Sequence, residues 1–196
     1  LDEAEELAEQ VTSEAPEYLS AYDFLASVHE AKGRLEEAQK VLQKAADASP
    51  HNTVRQRHVG DTAARNKDFL AAEKAYGKVI DRNRGSSLRS IDDFANLSRV
   101  LVERGDIVAS RKIAADMKRE WRGDKQAELA ALVTESLCLH AEGAEEKART
   151  LVDQALALQQ QVRDESVAKG RQVSQRLAVD LAHACYAAGK EDAANG

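Results

Sequence analysis

Gly33-Arg-Leu-Glu-Glu-Ala38 and Gly143-Ala-Glu-Glu-Lys-Ala148 spell out one pattern twice: a turn residue, a short polar run, and a small residue five places on. Apolar residues at helical spacing flank both segments. The same beat recurs along the chain, with turn anchors Gly33, Lys67, Gly105, Gly143 and Gly189 separated by 34, 38, 38 and 46 residues. Their small partners are Ala38, Ala72, Ser110, Ala148 and Ala194. A period of this length marks a repeat architecture, in which a helix pair that cannot bury its apolar face alone stacks on its neighbours. The reading is an all-α solenoid of about five helix pairs with an extended surface suited to binding.

Around the first anchor, Leu25, Val28 and His29 precede Gly33, and Leu35, Ala38, Val41, Leu42 and Ala45 follow before Pro50. Three-and-four spacing on both sides of a glycine, closed by a proline, predicts two amphipathic helices and a stop. Composition agrees. Of 196 residues, 43 % are hydrophobic but only 4 % aromatic, and there are two prolines, so small side chains can hold helix axes close.

Charge narrows the function classes. The formal net charge is −6 with 32 % charged residues, a mixed surface that disfavours nonspecific attraction to nucleic acid or to an acidic membrane. Two cysteines, Cys138 and Cys185, sit inside apolar helical patterns and predict buried free thiols instead of a disulfide framework. Without a long apolar run, a basic leader or a lipidation motif, the default compartment is the cytoplasm.

Catalytic and metal motifs are not evident. His58, His140 and His183 fall in different helix pairs, about 10 Å apart for neighbours by helix-packing distances, too far to share a metal ion. Cys138 and His140 are two apart on one helix and point to different faces. Glu5-Glu6, Glu36-Glu37 and Glu145-Glu146 read as helix-start acids that complement the dipole, in preference to acid/base pairs. No Gly-rich phosphate loop or nucleophile motif occurs, so neither an enzyme nor a cofactor is expected.

Residues 19–52 resemble the tetratricopeptide repeat, a unit of about 34 residues. Tyr22, Leu25, Ala26, His29, Gly33, Ala38, Leu42, Ala45 and Pro50 carry the likeness. Residues 53–86 follow with Val59, Gly60, Ala63, Ala72, Tyr76 and Val79, but Gln56 replaces the usual aromatic and Arg84 the proline, which predicts looser packing. Residues 91–124 contribute Phe94, Leu97, Ser98, Leu101, Gly105, Ser110, Ala114 and Met117, after an insert at 87–90. Residues 129–162 contribute Leu132, Ser136, Leu139, Gly143, Ala148, Val152 and Ala155, with Glu135 in an apolar position. Residues 1–16 read as the second helix of a truncated unit, 163–174 as a helix extension and polar connection, and 175–196 as a truncated unit. Both ends cut through repeats, which implies a fragment of a longer protein.

The resemblance implies a right-handed α-α superhelix whose first helices line a groove for a protein or peptide. Carried over residue by residue, the groove positions are Asp23, Phe24 and Ser27, with Glu30, in the first unit. Arg57, His58, Asp61 and Arg65 follow in the second, and Asp92, Asn96 and Arg99, with Glu103, in the third. Val133, Leu137 and His140, with Thr134, belong to the fourth; His183 and Tyr186, with Arg176, Val179 and Asp180, belong to the fifth. The groove should pass from charged to more apolar. Basic groups of the clamp that some relatives use for acidic chaperone tails are missing, because Ala130 and Val133 stand where cations would be needed.

Val54-Arg-Gln-Arg-His-Val-Gly60, Ala72-Glu-Lys-Ala-Tyr76 and Gly85-Ser-Ser-Leu-Arg-Ser-Ile-Asp-Asp-Phe94 resemble, more narrowly, the repeat portion of bacterial response regulators that join a receiver domain to such repeats. This likeness extends over about residues 1–143. It implies an output module for an upstream phosphorylated receiver. Self-association through an apolar edge at Leu156, Leu158 and Val162 is the other expectation, giving a homo-oligomer; accessory repeats beside a catalytic domain elsewhere are a third.

Overall fold

The structure, a computed structural model, describes residues 1–168, 174–190 and 193. Among the described residues there are ten helices and no strand. They divide into two compact units, residues 1–88 and 89–196. The first holds α1 (Asp2–Glu14), α2 (Leu19–Ala31), α3 (Leu35–Ala48), α4 (Thr53–Arg65) and α5 (Phe69–Asn83). The second holds α6 (Ile91–Arg104), α7 (Ile107–Glu120), α8 (Lys125–Ala141), α9 (Glu145–Ala168) and α10 (Gln175–Ala187). Within each unit successive helices pack on one another, the arrangement that an all-α repeat demands.

One kind of turn ends each first helix. Gly33, Lys67, Gly105, Gly143 and Gly189 have φ of 73, 60, 86, 75 and 69°, all left-handed. In each turn the amide of that residue donates to the carbonyl three back, and the next amide donates to the carbonyl five back from itself. Gly33 N to Glu30 O and Arg34 N to His29 O, both 2.9 Å, are the pattern, repeated by Lys67 N to Ala64 O at 3.1 Å and Asp68 N to Ala63 O at 2.9 Å. This closes the orphan carbonyls of the first helix and reverses the chain. The small partner then lets the second helix lie close: Ala38, Ala72 and Ser110 are fully buried and Ala148 is 1 % exposed. Ala194 lies outside the described residues.

Helix starts follow local chemistry. Asn52, Asp68, Ser90, Asp106, Asp124 and Ser174 each accept a backbone N–H of the following turn through the side chain. Asp124 accepts from both Gln126 and Ala127, so α8 begins at Lys125, upstream of the Leu129 start read from the repeat register. After Ala155, α9 continues as helix to Ala168, with Val162 buried, so the first half of the stretch expected at 163–174 is the helix extension; 169–173, with Gly170, lie outside the described residues.

The core of the first unit joins Ala26, Ala38, Leu42, Ala46, Val59 and Ala75. Burying side chains of the size of Leu42 or Val59 stabilises the unit by about 1.5–3 kcal/mol each. Gln56, in the place of an aromatic, is 2 % exposed and its Nε2 finds no hydrogen bond among the described residues, a polar flaw in α4. The second unit buries Phe94, Val100, Leu101, Met117 and Leu129, and a hydroxyl seam runs beside them. Ser110 Oγ donates to Ser98 O at 3.0 Å, Ser98 Oγ donates to Thr134 Oγ1 at 3.0 Å, and Cys138 Sγ lies 3.4 Å from Ser110 Oγ. Phe94 and Trp121 meet edge to face at 5.1 Å, and the Arg89 guanidinium sits 5.3 Å from the Trp121 ring. Glu135 avoids the core by pairing with Lys118 at 2.9 Å.

Candidate functional site

In the first unit, first helices α2 and α4 are joined by polar side chains along one face. Arg55, 7 % exposed, clamps Asp23 with Nε to Oδ1 at 2.8 Å and Nη2 to Oδ2 at 2.6 Å, and also donates to Ser49 Oγ. This bidentate geometry and the Asp23 charge hold the Arg55 guanidinium above its ordinary pKa. Glu30 receives Thr62 Oγ1 and lies 3.3 Å from both His58 Nε2 and Arg65 Nη1. Asp23 and Glu30 thus serve first to fix α2 to α4.

Along the same face, His58 and Arg65 included, runs a short mixed stripe. Phe24 and Ser27 stand three apart on α2, and His58, Asp61 and Arg65 at three-and-four spacing on α4. Phe24 is 52 % exposed, an aromatic ring without a core role, and Ser27, Asp61 and Arg65 are exposed as well. Asp61 is oriented by the buried Tyr76 hydroxyl at 2.5 Å, and Arg57 is half-buried. The stripe offers an apolar contact flanked by both signs of charge.

The corresponding face of the second unit is closed. Helix α10 packs on α8, α9 and α6, so the positions expected to line an open groove face another helix. Val133 and Thr134 are 2 and 5 % exposed, Leu137, Asn96 and Arg99 are half-buried, and Asp92 accepts a hydrogen bond from Ser174 Oγ at 2.7 Å. The space left between α6, α8 and α10 is about 10 Å³, the size of one water and no more. His140 is exposed and pairs with Glu145 at 3.1 Å, while His183 and Tyr186 look outward from α10. A larger recess of about 270 Å³ opens where the starts of α6, α8 and α10 meet, lined by Arg89, Asp92, Trp121, Asp124 and Ser174 among others.

Sequence reasoning missed Arg55, the residue that fixes Asp23. Its signal was an opposite charge 32 residues downstream, close to one repeat length. Cys138 and Cys185 are buried free thiols, and burial pushes both above the usual thiol pKa. Among the described residues, no three His, Cys, Asp or Glu side chains cluster so as to hold a metal ion. No helix among them is long and apolar enough to cross a membrane.

Paired helices, recurrent left-handed turns and buried small residues define the tetratricopeptide-repeat fold, and residues 1–57 match the family model described as tetratricopeptide repeat. Solved structures agree on the fold. Nearly identical TPR-like repeats assigned to a kinesin light chain of Podosopora anserina align with TM-score 0.64 at 19 % identity, covering 81 % of this chain and 86 % of that one. A tetratricopeptide repeat protein from Parabacteroides merdae aligns with TM-score 0.63 at 11 % identity, covering 97 and 81 %. YrrB, described as a TPR protein with an unusual peptide-binding site, aligns with TM-score 0.53 at 16 % identity, covering 97 and 88 %. No curated protein sequence matches the chain.

Proposed function

We propose that this chain is a non-catalytic scaffold that binds a protein or peptide on the first-helix face of α2 and α4. The observation that carries the reading is Phe24, 52 % exposed on a face whose Asp23 and Glu30 are already tied to basic neighbours. An exposed ring bordered by Ser27, His58, Asp61 and Arg65 suits an apolar anchor residue of a ligand with charged flanks. YrrB, with the same fold, has a peptide-binding site, which supports the class of ligand. Panning a random peptide display library on the chain tests this. Selected peptides should bind Phe24→Ala and Arg65→Glu variants at least tenfold more weakly; undiminished binding to both would remove this face from the account.

The finer reading is an output module of a bacterial two-component response regulator in the cytoplasm. Its support is the resemblance of residues 54–60, 72–76 and 85–94 to receiver-linked repeats. Sequencing the coding region upstream of Leu1 tests it: a receiver domain carrying a phospho-acceptor aspartate is expected, and any other domain there would dismiss the assignment. Self-association through Leu156, Leu158 and Val162 has less support, since Val162 is 3 % exposed and is already spent on packing within the chain.

A further inference from the structure

Helix α10 is tied down at both ends. At its carboxyl end Arg149 Nε donates to Ala188 O at 3.0 Å and Lys190 pairs with Asp153, both from α9. Toward its start Ser174 Oγ donates to Asp92 of α6 at 2.7 Å, and Leu177 and Asp180 face α6 and α8; Leu177, Asp180, Leu181 and Ala184 are 4, 4, 2 and 2 % exposed. These recur at three-and-four spacing, so one helix stripe places a carboxylate among apolar side chains against the inner face of α6 and α8.

The seat is imperfect at that carboxylate. Asp180 lies 3.3 Å from Arg176 Nε and 3.8 Å from Arg99 Nε, yet among the described residues Asp180 Oδ1 and both guanidinium Nε atoms make no hydrogen bond, nor does Asn96 Oδ1. The Asp180 side chain is 6 % exposed, and its charge is therefore removed from water without full compensation. Burial pushes its carboxyl above the ordinary value against the opposing pull of Arg176, Arg99 and His183. A helix docked this way is held less firmly than its apolar burial alone would hold it.

We propose that α10 is a displaceable internal occupant of the α6–α8 face, and that the external ligand of that face is an amphipathic helix presenting an acidic residue among leucines at the same spacing. Release is a swing of the amino-terminal half of α10 about its Arg149 and Lys190 anchors, which breaks the Ser174–Asp92 hydrogen bond and exposes Asn96, Arg99, Val133 and Leu137. Arg99 then meets the carboxylate of the incoming helix. This rests on the reading of first-helix faces as ligand sites, but concerns a face separate from that of α2 and α4.

A fluorescein-labelled peptide with the sequence of residues 174–190, titrated against the full chain, is the test. Wild type should bind it at least tenfold more weakly than a Leu177→Asp chain, in which α10 is undocked. Binding to Leu177→Asp should drop at least tenfold when the peptide carries Asp180→Ala or the chain carries Arg99→Glu. Equal binding by wild type, or none by a helical Leu177→Asp chain, overturns the proposal. Should Leu177→Asp not fold, amide exchange in wild type decides: exchange at residues 175–187 at least tenfold faster than in α8 supports it, and equal exchange sinks it. Peptides selected on the α2–α4 face should bind Leu177→Asp as they bind wild type, which separates a failure here from a failure there.

Discussion

A β-carbon placed on Gly60 would lie 2.8 Å from Cε1 and 2.9 Å from Cζ of Tyr76. One repeat earlier the same two places hold Ala26 and Leu42, both fully buried, so the bulk added on α5 is offset by the methyl removed from α4. Tyr76 is itself fully buried and its hydroxyl reaches Asp61. Gly60→Ala should therefore destabilise the chain by about 1–2 kcal/mol, overpacking outweighing the better helix propensity of alanine. Urea unfolding would show it, and a Tyr76→Leu background should abolish most of the loss.

Lys67 is the one non-glycine with left-handed φ among the described residues, in a turn where glycine stands at all four equivalent places. Its β-carbon crowds the backbone in that conformation, a cost that glycine avoids. Lys67→Gly should raise stability by about 1 kcal/mol, read as an increase in urea midpoint at constant slope.

Arg55 and Asp23 form a bidentate charged tie between α4 and α2. Arg55→Met removes the buried cation and leaves the half-exposed Asp23 to water, so a loss of about 1–2 kcal/mol is expected. Asp23→Asn should cost more, about 3 kcal/mol, because it leaves the buried Arg55 guanidinium without its counter-charge. Peptide affinity measured below the unfolding range should change little in Asp23→Asn, because Asp23 holds helices together in preference to a ligand.

Glu5 receives Lys32 and Arg34 and has His29 Nδ1 3.4 Å away; hydrogen bonds from Lys32 and Arg34 lower its pKa from 4.5 to about 2. Because the folded value is depressed, the stabilisation is present above pH 4.5 and is lost as pH falls from 4.5 toward 2. Glu5→Gln should flatten the acid limb of thermal stability over that window. An unchanged acid limb would mean that Glu5 contributes nothing to it.

The turns were legible in sequence, including Lys67, because a reversal between packed helices needs a left-handed residue and a small follower at fixed spacing. The burial of His29 at a packing position was equally legible. The closed face of the second unit was not. Asn96, Arg99, Val133 and Leu137 occupy the expected helix positions, but whether they meet solvent depends on how far α10 leans across α8 to α6. That lean comes from tertiary contacts such as Ser174 with Asp92, 82 residues apart, which no local pattern encodes. The charge ties of the first unit are half legible: Asp23 and Glu30 stand out as charged positions of α2, but their partners Arg55 and Thr62 lie off the stripe carried over from the family.

The central claim, that the α2–α4 face is a docking surface, is tested most directly by amide exchange of the full chain with and without a display-selected peptide. Slowed exchange concentrated in residues 23–30 and 57–65 is expected. Protection confined to α3 and α5, with α2 and α4 unchanged, would contradict it.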